Sequence, residues 1–576
     1  MTTSADPAGR AWEELVTVAL LGTERRPATL PRPPGPLGDL LTRLAPGPAD
    51  RAGRGQGAGD AGEPAGPDEP APPVPPAAAP AGTAEDALLG AAAAVAAYRR
   101  AGRVAPADRE PAVEPCPPET RRRCSPRAAW RLRGMLERDR HPLLAEWLAL
   151  AARNGRRPCE EDLPALLDRG GEQRALQGRI AEVLGARGRW LAARNPDWAW
   201  ALGAGPLAPT GGGGEVWHDG VRDARLLLLA RRRREDPGQG LALLASTWAR
   251  EPAGDRAAFL LLLAPGLSVA DEAFLEDALD DRAASVRRAA AALLTRLPGS
   301  RRAARAAARV RGLLVPAGRP AAHLAVALPE RPGPDWQRDG LALDGKGGLT
   351  GRSGLLAALA AAAPLAVWEQ DTGLPADQLV RLATGGGPAA RLDGASWRGA
   401  AQALAAGWAE AATWQRAERW ALPLVDADVT AALGALPADR AHELVRTRLT
   451  GRARRRGLGA GLLAPGAAGL LEHCPGPWPP ALSGAFLHAL VAALRALRRH
   501  DLAPAELVSL DGREHRPAAA LELLPRLAHR LDPGLAGEAR VLLEPDATGR
   551  AWWSRPVDAL VTTLEHRREL HEELRS

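Results

Sequence analysis

The sequence predicts an all-α chain built as an α-solenoid, and three observations carry that reading. Apolar residues recur at helical spacing in one short segment after another from residue 128 onward. Strand-forming residues are scarce: Ile180 is the sole isoleucine and Tyr98 the sole tyrosine, while Ala, Leu and Arg dominate. One segment, 271–300, reads as a complete helix–turn–helix unit, and a pair of helices this short shields its apolar faces only by stacking on neighbours. The chain has 576 residues, too many for one compact core, and an array of repeats removes that difficulty.

Taken in order, residues 1–44 hold an N-terminal helix and the start of a linker, with Trp12, Leu15, Val16, Ala19 and Leu20 on one stripe. Residues 45–82 are Pro, Gly, Ala and Asp with little apolar bulk, the composition of a disordered insertion. Residues 83–127 give a helix near 85–100 and a Pro-rich connection. Helical repeats then fill 128–314. Leu143, Leu144, Trp147, Leu148 and Ala151 form one stripe there; Leu241, Leu244, Ala245 and Trp248 form another. In 271–300 a turn at Asp280 to Ala284 precedes a helix with Val286, Ala289, Ala290, Leu293, Leu294 and Leu297 on one face, Ser285 as N-cap and Pro298 as its stop. The Gly/Pro-rich stretch 315–352 reads as a long loop or a boundary, and 353–576 as C-terminal helical repeats.

Basic and acidic residues nearly balance, 75 against 68, for a net charge of +7. The pI near 10.2 reflects arginine's high pKa, since Lys346 is the sole lysine; a nucleic-acid partner is permitted but not required. Four scattered cysteines do not make a disulfide framework and fit a reducing cytoplasm. The first fifteen residues lack the pattern of a signal peptide, and the longest apolar stretch, 354–368, is short for a membrane span and contains Pro364.

No motif supplies chemistry. Lys346, in LDGKGGLTG, is followed by glycine and not by Ser or Thr, with no strand before it, so it is not a phosphate loop; Gly211 to Gly214 read as a linker. Cys116, Cys124, His473 and Cys474 lack the paired spacing that structural zinc needs. Glu160/Glu161 and Asp280/Asp281 stand where helices start or turn and are explained by capping. Hence no catalytic, cofactor or metal site is expected.

The segment GARGRWLAARNPDW, 185–198, packs three arginines and two tryptophans into fourteen positions. A helix running from near Glu172 through Trp190 and Leu191, stopped before Pro196, accounts for it: Trp190 joins Ile180, Val183 and Leu184 near the core, and the arginine stems lie along neighbouring helices. The other reading makes an exposed patch that grips a partner, with Arg187, Arg189, Trp198 and Trp200 as the contact residues. Most of the seventeen tryptophans are expected to fill a core poor in Phe and Ile.

The turn D-x5-V-R-x-A-A at 280–290 resembles a HEAT repeat, in which Asp281 and Arg287 would belong to a ladder between successive turns. With WEELVTVALLGTERRP, LLAEWLALAARNGRRPCEEDLPALLD, WQRAERWALPLV and PGPWPPALSGAF, the chain resembles an uncharacterised bacterial family of unknown function with HEAT-like repeats. That resemblance implies HEAT-like helices over 128–314, no assigned reaction, and genes for a SWIM-type zinc-finger protein, a MoxR-type AAA ATPase and von Willebrand factor A proteins nearby. The function expected is a non-enzymatic scaffold or adaptor whose partner is the MoxR-type ATPase or a von Willebrand factor A protein. A second expectation follows from likeness to the HEAT-like alkylpurine DNA glycosylases, which hold a damaged base with Trp and Asp on a basic concave surface; the arginine runs 231–234 and 452–456 would then meet phosphates.

Overall fold

In the computed structural model, residues 7–23, 29–45, 83–101, 114–138, 141–204, 214–317, 323–329, 332–341, 351–384, 397–452, 462, 466–500, 519–543 and 553–575 are described. About 75% of the structure is helix, so the chain is all-α. It divides into two compact units, residues 1–115 and 116–576. The expected disordered insertion (apart from Ala45), Lys346, Gly211 to Gly213 and the arginines at 453–456 lie outside the described residues.

The first unit packs α1 (Pro7–Leu21) and α2 (Pro36–Leu44) against α3 (Ala84–Ala101). Thr83 starts α3 with a capping box: its hydroxyl accepts the Asp86 N–H at 3.2 Å, and its own N–H donates to the Asp86 carboxylate at 2.9 Å. The buried face of α1 is Ala8, Ala11, Leu15 and Val18, and Leu20 is 81% exposed. The expected stripe through Val16 and Leu20 is therefore rotated. Both sets have helical period, and the alanine-bearing one lets α3 approach through its own Ala91.

The second unit opens with two-residue strands, β1 (Arg122–Arg123) and β2 (Arg156–Arg157), paired in parallel. Ser125 caps α4 (Pro126–Leu136), accepting the Ala128 N–H, with Pro126 in the first helical position. On α5 (Leu144–Arg153) the predicted stripe is buried throughout, and the Trp147 indole N–H reaches the Ala128 carbonyl at 3.1 Å. Next come α6 (Leu163–Glu172), α7 (Arg174–Val183) and α8 (Gly185–Ala192). The single helix expected from Glu172 to Pro196 is broken at Gly185, which has φ of 64°. A Cβ there would collide with the Glu119 carboxylate, which accepts the Ala186 and Arg187 N–H groups at 2.8 and 3.2 Å and so caps α8.

A second core gathers around α9 (Gly214–Asp219), α10 (Arg222–Glu235), α11 (Pro237–Thr247), α12 (Ala253–Leu261), α13 (Glu272–Ala278) and α14 (Ala284–Thr295). The predicted face of α14 is buried from Val286 to Leu294, with Leu297 at its edge. Its N-cap is Ala283 and not Ser285; the Asp281 carboxylate supplies the acceptor, taking the Ala283 N–H at 2.8 Å. On α11 Leu244 is buried with Gly240 and Thr247 while Ala245 faces out, because the helix ends at Thr247 and Trp248 begins a 3-10 turn.

After α15 (Arg301–Val310), the stretch read as loop or boundary contains an antiparallel hairpin, β3 (Leu314–Ala317) with β4 (His323–Val326), and α16 (Pro334–Arg338). Leu314, Leu324, Val326 and Leu341 join the same core as the helices that follow. These are α17 (Gly351–Ala362), α18 (Leu365–Thr372), α19 (Ala376–Thr384), α20 (Trp397–Gln415), α21 (Glu418–Asp426), α22 (Ala438–Arg452) and α23 (Ala467–His473). Trp408 sits between Trp368 and Trp420, edge-on to both with centroids 5.8 and 5.2 Å away, the filler role expected of tryptophan here.

The chain ends with α24 (Pro480–His500), α25 (Ala519–Glu522), α26 (Leu524–Leu527), α27 (Ala536–Leu542) and α28 (Ser554–Arg575). Within α24, Pro480–Arg498 is long and apolar enough to cross a bilayer, and half of it is buried inside the unit. The 354–368 stretch spans a 103° bend between α17 and α18, at Pro364. Finally α28 returns to pack on α4 and α5, so the unit's last helix meets its first ones.

Candidate interaction site

The Arg/Trp segment at 185–200 is largely committed to the fold. Trp200 is buried and donates its indole N–H to the Leu167 carbonyl at 3.2 Å, while its ring fills the space beside Gly170. It is a packing residue, so the patch as expected is not a continuous surface. Trp198 is half-buried and bonded to the Asp168 carboxylate at 2.7 Å. Trp190 carries the Arg194 guanidinium stacked 3.7 Å from its ring centroid. Arg189 is half-buried; Arg187 is exposed, its backbone held by Glu119.

The arginine run 231–234 is likewise occupied. Arg233, 1% exposed, donates to the carbonyls of Leu263, Pro265, Pro237 and Gly266 and pairs with buried Asp271 at 2.6 Å. Arg231 donates to the Gly203 carbonyl, and burial pulls its pKa down. Arg232 bonds Gln239 and Arg234 bonds Glu182. A cation engaged this way has little left for a phosphate.

Two further arginines tie successive turns together. Arg225 on α10 pairs with Glu251 ahead of α12 and lies 4.7 Å over the Trp217 ring. About 30 residues on, Arg256 on α12 pairs with Asp281 ahead of α14 at 2.9 Å and lies 5.7 Å over Trp248. The sequence places both Asp281 and Arg287 in a ladder between successive turns; Asp281 makes such a contact, with Arg256, and Arg287 does not. That residue instead donates to the Asp281 and Arg282 carbonyls, at 2.8 and 3.0 Å, because it lies one turn into the helix that Asp281 caps.

Among the described residues, the buried carboxylates of Asp339 and Glu276 are engaged by arginines. Buried Asp339 accepts Arg305 and Arg309, both at 2.6 Å, and its carbonyl accepts Arg302, whose pKa burial lowers to about 10. Glu276 accepts Arg305 and Arg338 at 3.0 and 3.2 Å. The Cys124 thiol is pushed up to about 12 by burial, as is Cys474, so neither is a thiolate near neutral pH. Among the described residues no three His, Cys, Asp or Glu side chains converge as metal ligands.

What remains open is a groove where α4 meets α28. Trp130 on α4 is 72% exposed, in contrast to the buried tryptophans of the cores. It lines a cavity of about 830 Å³ with Arg127 and Arg131 on one wall and Glu569, Glu572 and Glu573 on the other. Arg131 spans the groove floor to Glu573 at 2.8 Å and Glu569 at 2.9 Å, and the Ser125 hydroxyl donates to the Glu573 carbonyl. Deeper in the seam, the Glu146 carboxylate accepts Arg567 and His571 at 2.8 and 2.9 Å. Burial raises its pKa, but those two donors outweigh it and hold the value at about 2. The groove thus has charge of both signs around an exposed indole. Sequence reasoning missed it, because its two walls lie more than 430 residues apart in the chain.

Fold and geometry define an all-α protein of two compact units. The chain belongs to a family of unknown function, DUF5691, which matches residues 14–574. No curated protein and no solved structure matches it.

Proposed function

We propose that this chain is a non-enzymatic, HEAT-like helical scaffold or adaptor of the cytoplasm that binds a protein partner through the groove between α4 and α28. The observation that carries the reading is Trp130, a large indole exposed at the join of the unit's ends and flanked by Arg127 and by carboxylates of α28. Exposed Trp and Arg are the side chains that most often anchor protein interfaces. The repeated rungs Arg225–Glu251 and Arg256–Asp281 support a HEAT-like arrangement, since a repeat places the same contact at the same turn. An open solenoid keeps its ends apart; here α28 packs on α4 and α5, so the array we propose is one whose ends meet. The mixed charge of the groove and the engaged state of run 231–234 favour a protein over nucleic acid.

The family resemblance makes a MoxR-type AAA ATPase or a von Willebrand factor A protein the first partner to try. A photo-crosslinking residue at position 130 is expected to capture that partner, while the same residue at position 232 is not. Capture from position 232 with none from 130 would refute the groove as the docking site.

A further inference from the structure

The first unit leaves large apolar side chains in solvent. Its helices α1 and α3 run antiparallel: Thr23, just past the end of α1, bonds the Glu85 carboxylate in the first turn of α3, and Arg99 in the last turn of α3 lies 5.8 Å from the Trp12 ring. That register sets Leu20 and Leu89 at the same level, 81% and 68% exposed, with exposed Val16 one turn away on α1. The unit's core takes other faces of the two helices, through Leu15 and Val18 on α1 and Leu88 and Ala91 on α3. Along α3, Asp86, Leu89, Ala93, Ala97 and Arg100 are all exposed and stand at offsets 0, 3, 7, 11 and 14, a single stripe. These offsets read the same in both directions. A second α3 laid antiparallel therefore sets Leu89 against Ala97, Ala93 against its own counterpart and Asp86 against Arg100. Both charges are available for such a contact. Thr83 donates its N–H and its hydroxyl to the same Asp86 oxygen, Oδ2, so Oδ1 has no hydrogen bond among the described residues, and neither does the Arg100 guanidinium.

We propose that the face made by α1 and α3 is the contact between two copies of this chain, related by a two-fold axis beside Ala93 with one α3 antiparallel to the other. A two-fold contact needs a surface that complements itself, and this stripe does so in size and in charge. Leu89 of each copy meets the small Ala97 of the other, which lets the helices approach closely. The charged ends fix the direction, because a parallel pairing would set Asp86 against Asp86 and Arg100 against Arg100. They also select a second copy over an unrelated partner, since each end meets its opposite only in this chain's own face. Leu20 and Val16 extend the contact from α3 to α1 and lose their exposure in it. A two-helix face about 27 Å long and about 20 Å wide covers roughly 500 Å² per copy, so the total stands at the low end for a specific interface and the dimer is a weak, reversible one.

The test is sedimentation of the full chain between about 1 and 100 µM, where a contact of this size is expected to carry monomer over to dimer. Leu89→Glu is expected to raise the dissociation constant at least tenfold with no change in melting temperature, because the side chain is on the surface of the single copy. Arg100→Glu weakens the dimer by a smaller factor. Geometry is read separately by cross-linking in a Cys116→Ser background, which removes the least buried native thiol. Ala93→Cys, on the axis, is expected to give a disulfide-linked dimer on mild oxidation, and Asp39→Cys, exposed on α2, is not. The proposal is overturned by a chain that stays monomeric over the whole range, by a Leu89→Glu variant that dimerises as the parent does, or by Asp39→Cys linking as readily as Ala93→Cys.

Discussion

Two places in the second unit combine tryptophan with arginine, and they behave in opposite ways. In the 185–200 segment the residue types are crowded together in sequence, and the fold uses nearly all of them: Trp200 for packing, Trp198 for a bond to Asp168, Arg194 for stacking on Trp190. At the α4–α28 groove the sequence is at least as rich in arginine, with Arg127, Arg131 and Arg133 around Trp130, yet that indole is left in solvent beside Arg127 and three glutamates. Local density of Arg and Trp therefore does not decide whether those side chains are buried. Exposure at a seam between distant elements reports on what is left to bind.

The comparison is sharpened first by Arg233→Ala. This change leaves Asp271 buried without its cation and frees four carbonyls, so it should destabilise the protein by about 3–5 kcal/mol in chemical denaturation. Arg232→Ala, one residue away on the exposed side of the same run, should stay within about 0.5 kcal/mol. Next, Trp200→Ala should cost about 3 kcal/mol or more through the cavity beside Gly170. A cost near zero for Trp200 would return the 185–200 segment to the surface.

The seam itself should weaken in acid. Burial, with Arg138, His566 and His529 nearby, lowers the His141 pKa; burial and Arg567 lower that of His529 despite the opposing pull of Glu146. Both bind protons less readily folded than unfolded. Stability from this source is therefore complete above the ordinary value of 6.5 and is lost as pH falls from there through the folded values. Glu146 adds a second loss lower down, from its ordinary 4.5 toward about 2, since its folded pKa is depressed. Melting temperature should drop between pH 7 and pH 5, and a His141→Gln, His529→Gln pair should flatten that drop. A smaller loss is expected of Ser125→Ala, which removes a helix cap and a bond to the Glu573 carbonyl and should cost about 1 kcal/mol.

The class of fold was legible because it rests on period: the stripes of α5 and α14 are buried as their spacing implies. Rotation about a helix axis was less so. On α1 two stripes have equal period, and only the tertiary partner decides between them. The break at Gly185 depends on Glu119, which no local pattern connects to it. Within 315–352, glycine and proline masked a hairpin and the anchoring Asp339, whose role appears only with Arg305 and Arg309 beside it. The groove was the least legible feature. Trp130 lies on α4 with other apolar residues, and nothing in its own segment says that α28 stops short of covering it.

The most direct measurement is the affinity of the partner for the parent protein and for Trp130→Ala, read alongside melting temperature. The account predicts a loss of about 2 kcal/mol, roughly thirtyfold, with melting unchanged because the indole is in solvent. Unchanged affinity, or a loss that merely tracks unfolding, would contradict it.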